Sequence, residues 1–152
     1  MAGELLGREC YLYYNSATHA SPTWVLISNA VDVSTTVDKN YGDVSSRSSS
    51  WKKNKAGLKD LGLSFGYRYK SGVTDAPFDF LRAAAIANTP VELFMADGLS
   101  ESTGTEGIRA YMDLSLGREE PLEDGVLAPF ECKHVLYYEA GAVVDPDWYT
   151  TS

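Results

Sequence analysis

The chain has 152 residues, of which 44% are hydrophobic and 12% aromatic, with ten tyrosines and a formal net charge of −8. That length allows a single domain with a substantial core, and the wealth of aromatic and β-branched residues favours a β-rich fold. The negative charge excludes a protein that wraps nucleic acid tightly by neutralising phosphates.

The charge is unevenly placed. Residues 1–96 hold ten Lys/Arg against nine Asp/Glu, whereas residues 97–152 hold three against twelve. Met1–Gly7 has no basic region followed by a long apolar one, and no 18-residue apolar run appears anywhere. No signal peptide and no membrane span are therefore expected, and a cytoplasmic origin is.

In chain order, Glu9–Tyr14 reads as a first strand, closed by the turn-forming residues Asn15–Thr18. Trp24–Ser28 reads as a second. The alternation slips by one position at Asn29, so Val25 and Ile27 continue into Val31 and Val33 as one long, curved strand only if Asn29 marks a bulge. Val31–Asp38 and Leu58–Tyr69 then both show the period-2 pattern of half-buried strands.

Between these two runs lies Asp38–Lys55, DKNYGDVSSRSSSWKKNK. It is polar and serine-rich, with Lys39, Arg47, Lys52, Lys53 and Lys55 against Asp38 and Asp43. It has too little apolar surface to fold on itself. A structureless loop of that length inside a compact domain is uncommon and marks either function or disorder. Because Tyr41, Val44 and Trp51 would be wasted on a solvated linker, the expectation is a docking arm, mobile when free and ordered against a partner.

After Ser71-Gly72, Thr74 or Asp75 offers an N-cap and Pro77 a first-turn residue for the single expected helix, which ends near Asn88. Phe78, Leu81, Arg82, Ala85 and Ile86 define its expected inner face. Val91–Met95 reads as a strand and Ala96–Gly107 as an acidic loop, and Ile108–Leu116 alternates strictly. An acidic turn, Glu119–Gly125, leads to a last strand, Val126–Tyr138, in which Pro129 argues for an edge or a bulge. Gly141–Ser152 has no periodic pattern, although Trp148 and Tyr149 suit a docked surface. The expected fold is mainly β: a β-sandwich or flattened barrel of about seven strands with one flanking helix.

Motifs for chemistry are absent from this sequence. His19 sits in a polar turn and His134 in a strand, neither in a metal or nucleophile motif, so structural roles are expected for both. Glu119, Glu120, Glu123 and Asp124 do not have calcium-loop spacing. Cys10 and Cys132 belong to no ligand cluster and read as two partly buried free thiols. No enzyme, cofactor or metal is expected.

What remains is a basic arm in one half and carboxylates in the other. If the arm of one copy meets the acidic turn of another, the contact joins unlike surfaces, and such contacts close into rings or extend into filaments. Exposed ion pairs contribute only ~0–1 kcal/mol each, so Tyr41 and Trp51 must supply the anchoring burial. Tyrosine pairs such as Tyr13-Tyr14 also admit a sugar-stacking surface, although alternation turns one of each pair into the core.

The run ASPTWVLISNAVDVSTTVDKNYGDVSSRSSSW, followed by LKDLGLSFGYRY, DAPFDFLRAAAIANTPVEL and MADG, resembles the major tail tube proteins of long-tailed bacteriophages over residues 8–138. The resemblance implies a β-sandwich with a flanking helix, in six-copy rings stacked into a hollow tube that conducts DNA. It also implies tape-measure and tail-terminator proteins as partners, residence in the virion tail after assembly in the host cytoplasm, and a long inter-strand arm reaching a neighbouring subunit or ring. Asp38–Lys55 holds that position, with Tyr41, Asp43, Val44, Arg47, Trp51, Lys52 and Lys53 as interface candidates. Asp113, Glu119, Glu120, Glu123, Asp124 and Glu131 are candidates for an acidic lumen or for docking the arm. The rival readings are a tube subunit of a bacterial injection or secretion apparatus and a monomeric carbohydrate-binding β-sandwich.

Overall fold

The computed structural model describes residues 11–68, 75–117 and 127–152. Cys10, Tyr69, Glu119, Glu120, Glu123 and Asp124 lie outside the described residues.

An eight-stranded antiparallel sheet forms the body. Its strands are β1 (Tyr11–Asn15), β2 (Trp24–Leu26), β3 (Ala30–Asp43), β4 (Asn54–Arg68), β5 (Val91–Ala96), β6 (Glu106–Leu116), β7 (Leu127–His134) and β10 (Asp147–Thr150). Strands β8 (Tyr138–Glu139) and β9 (Ala142–Val143) pair only with each other, and a single helix, α1, spans Ala76–Ala87. The spatial order is β2-β1-β5-β6-β7-β4-β3, with β10 lying beside the first half of β6.

The expectation of one curved strand through Asn29 is corrected by this order. β2 and β3 are consecutive in the chain but stand at opposite edges of the sheet, so the slip at Asn29 is a change of edge. Four residue steps from Leu26 to Ala30 reach at most about 14 Å, which forces the two edges together. The sheet is thus folded over on itself, and it stays open because β2 and β3 do not pair. Short bonds anchor the connection at both ends, Ile27 N to Leu12 O at 2.9 Å and Arg68 N to Asn29 O at 3.1 Å.

The concave interior holds the main core. Leu61, Leu63, Phe65 and Tyr67 from β4 meet Leu93, Met112 and Leu114 from the facing half, with Phe130 stacked on Phe65 at 5.0 Å between centroids. Each such side chain contributes about 1.5–3 kcal/mol by leaving water. Thr35 Oγ1 reaches Met95 Sδ at 2.8 Å across the fold.

The helix begins at Asp75, whose side chain accepts from Phe78 N and from the Tyr67 hydroxyl, the latter at 2.6 Å. It ends at Asn88 in the left-handed conformation, φ 54°. Its buried face is Phe78, Leu81 and Ala84. The expected face was rotated: Ala85 is half-buried, whereas Arg82 and Ile86 are exposed. The small Ala84 turns toward the sheet, while Arg82 finds Asp79 at 3.1 Å and the face of Phe78 outside the core.

The C-terminal segment, patternless in sequence, supplies a strand. β10 pairs with β6 from Thr150↔Glu106 to Asp147↔Arg109, and Tyr149 packs edge-on against Phe94 in a second apolar cluster with Tyr13 and Trp24. Pro129 is not on an edge, since β7 lies between β4 and β6. Its carbonyl accepts from Gly117 N at 2.9 Å, just past the end of β6, so its nitrogen faces a side where no further ladder partner is needed.

Candidate functional site

The arm is ordered as a hairpin rather than a structureless loop, which corrects the expectation for Asp38–Lys55. β3 and β4 stay paired well beyond the body, through Asp38↔Asp60, Lys39↔Lys59, Tyr41↔Ala56 and Asp43↔Asn54. Two register shifts shape it, one between Val31 and Ser34 around the left-handed Asp32 (φ 52°) and one between Lys39 and Tyr41. Such bulges bend a strand and re-aim the pairing that follows. The alternation from Val31 onward, read as ending near Asp38, continues as a ladder that no core supports.

Serines close the tip. Asp43 Oδ1 accepts from Ser45 N at 2.8 Å, and the Ser45 hydroxyl first, then this backbone bond, hold the Asp43 carboxyl below its usual pKa. Ser45 Oγ in turn accepts from Lys53 N at 2.8 Å, while Val44 N donates to Lys53 O at 2.9 Å. Ser46 and Ser48 share a hydroxyl bond of 2.7 Å, and Ser49 Oγ caps Trp51 N. The serine run therefore satisfies the backbone of a tight tip.

Every interface candidate on the arm, Tyr41, Asp43, Val44, Arg47, Trp51, Lys52 and Lys53, is exposed. Trp51 is 79% exposed, Tyr41 65% and Leu58, which the sequence did not single out, 83%. The like-charged pairs Asp38↔Asp60 and Lys39↔Lys59 lie directly opposite each other, an arrangement that weakens an isolated hairpin. The arm thus carries large apolar groups in water beside charges that its own strands do not match.

A second surface lies on the convex side of β3, β4, β7 and β6. Two rungs cross all four strands in register, Ser34–Ser64–Glu131–Ser115 and Thr36–Gly62–Lys133–Asp113. Asp113 and Glu131, two of the six acidic candidates from sequence, are thus diagonal neighbours on one polar face with Lys133 beside both. They line a shallow groove of about 340 Å³. Asp113 is half-buried, and its Oδ1 has no hydrogen-bond partner among the described residues. Alternation places Asp38 and Asp60 on the same face farther along the arm. Beneath it, Cys132 is a buried free thiol whose pKa is pushed up to about 12, by burial first and then by Asp113 and Glu131.

The sequence missed a buried polar cluster on the other half of the sheet. Glu92 on β5 is 1% exposed, and its carboxyl group meets His19 Nδ1 and Asn15 Nδ2. His19 N donates to Glu139, and its carbonyl accepts from Arg109, which also grips Asp147 at 2.9 Å. Both histidines are held by hydrogen bonds, and His134 Nδ1 contacts Tyr111 O at 2.9 Å. Glu92 was hidden within an apolar run whose other members are all hydrophobic. Among the described residues no helix is long and apolar enough to cross a membrane, and no group of three His, Cys, Asp or Glu could hold a metal.

No family model matches the sequence, and no curated protein matches it. Solved structures do. The SPP1 tail tube, from a hybrid solid-state NMR and cryo-EM study, superposes with a TM-score of 0.73 at 11% identity over 97% of this chain and 80% of that one. The tail of an empty GTA particle, refined with C6 symmetry, gives 0.65 at 13% identity over 91% and 96%. The virion of a native gene transfer agent gives 0.64 at 12% identity over 97% and 98%. The chain has the tail-tube fold, mainly β with one flanking helix around an open, folded sheet.

Proposed function

We propose that the chain is a structural subunit that self-assembles into stacked hexameric rings, forming a phage tail tube through which DNA passes. One observation carries this reading: the β3–β4 hairpin projects from the body with Tyr41, Trp51 and Leu58 exposed and with its charges unmatched. The likeness in fold to proteins solved as tail assemblies supports it. The arm is the contact to a neighbouring subunit or ring, with Tyr41, Val44 and Trp51 as anchors and Asp43, Arg47, Lys52 and Lys53 around them.

The polar convex face is the lumen wall, with Asp113 and Glu131 repelling phosphate so that DNA slides without binding. The role is architectural rather than catalytic, the residence is the virion tail, and tape-measure and terminator proteins are the further partners.

Negative-stain electron microscopy of the concentrated chain tests the reading. The comparison is a variant in which an Asn-Gly turn replaces Val44–Lys53, closing the hairpin at the Asp43–Asn54 pair. Hollow filaments from the intact chain, with lone rings or monomers from the variant, are expected. Filaments from both would leave the tube standing and remove the arm tip from its stacking.

A further inference from the structure

At the root of the hairpin the start of β3 faces the ends of β1, β5, β6 and β10 across a cleft of about 960 Å³. Its walls are apolar: Val31 and Val33 at the start of β3, Met95 at the end of β5, Ile108 on β6, and Trp148 on β10, 66% exposed. Among the described residues its acidic members are Asp32, Asp97 and Glu106, and no Lys or Arg lines it. Among the described residues none of these three carboxylates forms a salt bridge.

The arm tip has the converse composition. Residues 44–55 contain Arg47, Lys52, Lys53 and Lys55, no acidic residue, and the exposed indole of Trp51. The tip cannot fold back into its own cleft. The cleft includes Ala30–Val33, where β3 begins, and the strand runs on to Asp43, about 40 Å away at ~3.3 Å per residue.

We propose that the root cleft of one copy receives the arm tip of a second copy. Trp51 enters against Trp148 and Ile108, and Arg47, Lys52 and Lys53 meet Asp32, Asp97 and Glu106. This deepens the tube reading and rests on it for its biological setting. The groove on the convex face is a poorer host, because it is smaller and is lined by Lys133 as well as by carboxylates. A contact between root and tip joins unlike surfaces, so it propagates from copy to copy.

The direct test uses the full-length chain, held below its assembly concentration, and a fluorescein-labelled peptide of Asp43–Asn54 cyclised across its closing pair. Fluorescence anisotropy should show saturable binding that weakens with added salt. Affinity should fall at least tenfold when the peptide carries Trp51→Ala, or when the protein carries Asp32→Asn, Asp97→Asn and Glu106→Gln together. These changes keep the side-chain shapes, including the Asp97 oxygen that accepts from Glu106 N, and Asn tolerates the left-handed backbone at position 32.

Absence of binding, or equal binding to the neutralised protein, overturns the docking site. Microscopy of the intact chain then separates the two ideas. Tubes without peptide binding reject the cleft and keep the tube, whereas peptide binding without tubes keeps the cleft and counts against the tube.

Discussion

His19 Nδ1 meets the carboxyl group of Glu92, a side chain with no solvent exposure, and so ties the loop after β1 to the start of β5. Oε1 of Glu92 has Asn15 as a second partner at 3.0 Å, while His19 is the partner of Oε2. Replacing His19 by Ala leaves a buried oxygen unsatisfied and is expected to destabilise the fold by about 1–3 kcal/mol. His19→Gln, which restores a donor, should recover part of this. Urea unfolding measures both, and equal stabilities for wild type and His19→Ala would show that the contact contributes nothing.

Stability should decline in alkali. Burial raises the pKa of Tyr67 and Tyr111 well above 10, assisted at Tyr67 by its bond to Asp75 and at Tyr111 by the charge of Glu92, and Cys132 is pushed up to about 12. The unfolded chain releases these protons first, near pH 8.5 for cysteine and about 10 for tyrosine. The folded state then binds more protons than the unfolded one, and unfolding becomes easier as pH rises. Denaturant midpoints should be level around pH 7–8 and fall from about pH 9 to 12. Cys132→Ala should remove the earliest part of that fall, and an unaltered slope would reject the assignment.

Gly107 cannot carry a side chain. A Cβ there would stand 1.6 Å from the carbonyl oxygen of Met95 on the neighbouring strand. Since this oxygen is backbone, β5 and β6 must part to admit even a methyl group. Gly107→Ala is expected to cost more than about 3 kcal/mol, beyond the usual range of a single substitution, and to lower the melting temperature sharply. A melting temperature within two or three degrees of wild type would contradict the close approach.

If the convex face lines the tube, Asp113→Asn with Glu131→Gln should leave tubes intact and slow DNA exit from assembled particles. The change removes two like charges per subunit from the wall, and positive Lys133 would then dominate each groove. Time-resolved ejection reads the effect. An unchanged rate would sink the electrostatic slide without touching the assembly.

Much of this architecture is visible in residue order. The Asp75 cap, Pro77 and the Asn88 stop mark the helix, and alternation marks β4 and β6, with Leu61, Leu63, Phe65 and Tyr67 buried on one and Ala110, Met112 and Leu114 on the other, although Leu116 at the end of that pattern is exposed. Asp113 and Glu131 could each be picked out from sequence as outward strand positions, but that their strands are neighbours is a fact of the fold.

The misses have physical causes. Asn29 looks like a bulge because a three-residue edge change and a one-residue slip leave the same mark on periodicity. The arm lacks an apolar face, so nothing in its composition reveals that its backbone is paired. β10 is four residues long and owes its place to Tyr149 meeting Trp24 and Phe94, contacts that only the folded body creates.

The short passage Ile27–Asn29 has a further consequence for the chain as a polymer. Hydrogen bonds close most rolled sheets, but here a covalent strap holds the two margins together while leaving both free of ladder partners. A circular permutant opened at Ser28, with residues 152 and 1 joined by a linker, would keep every ladder yet lose that strap. Its margins would then be held only by the packing of the interior and by contacts such as Thr35 Oγ1 to Met95 Sδ.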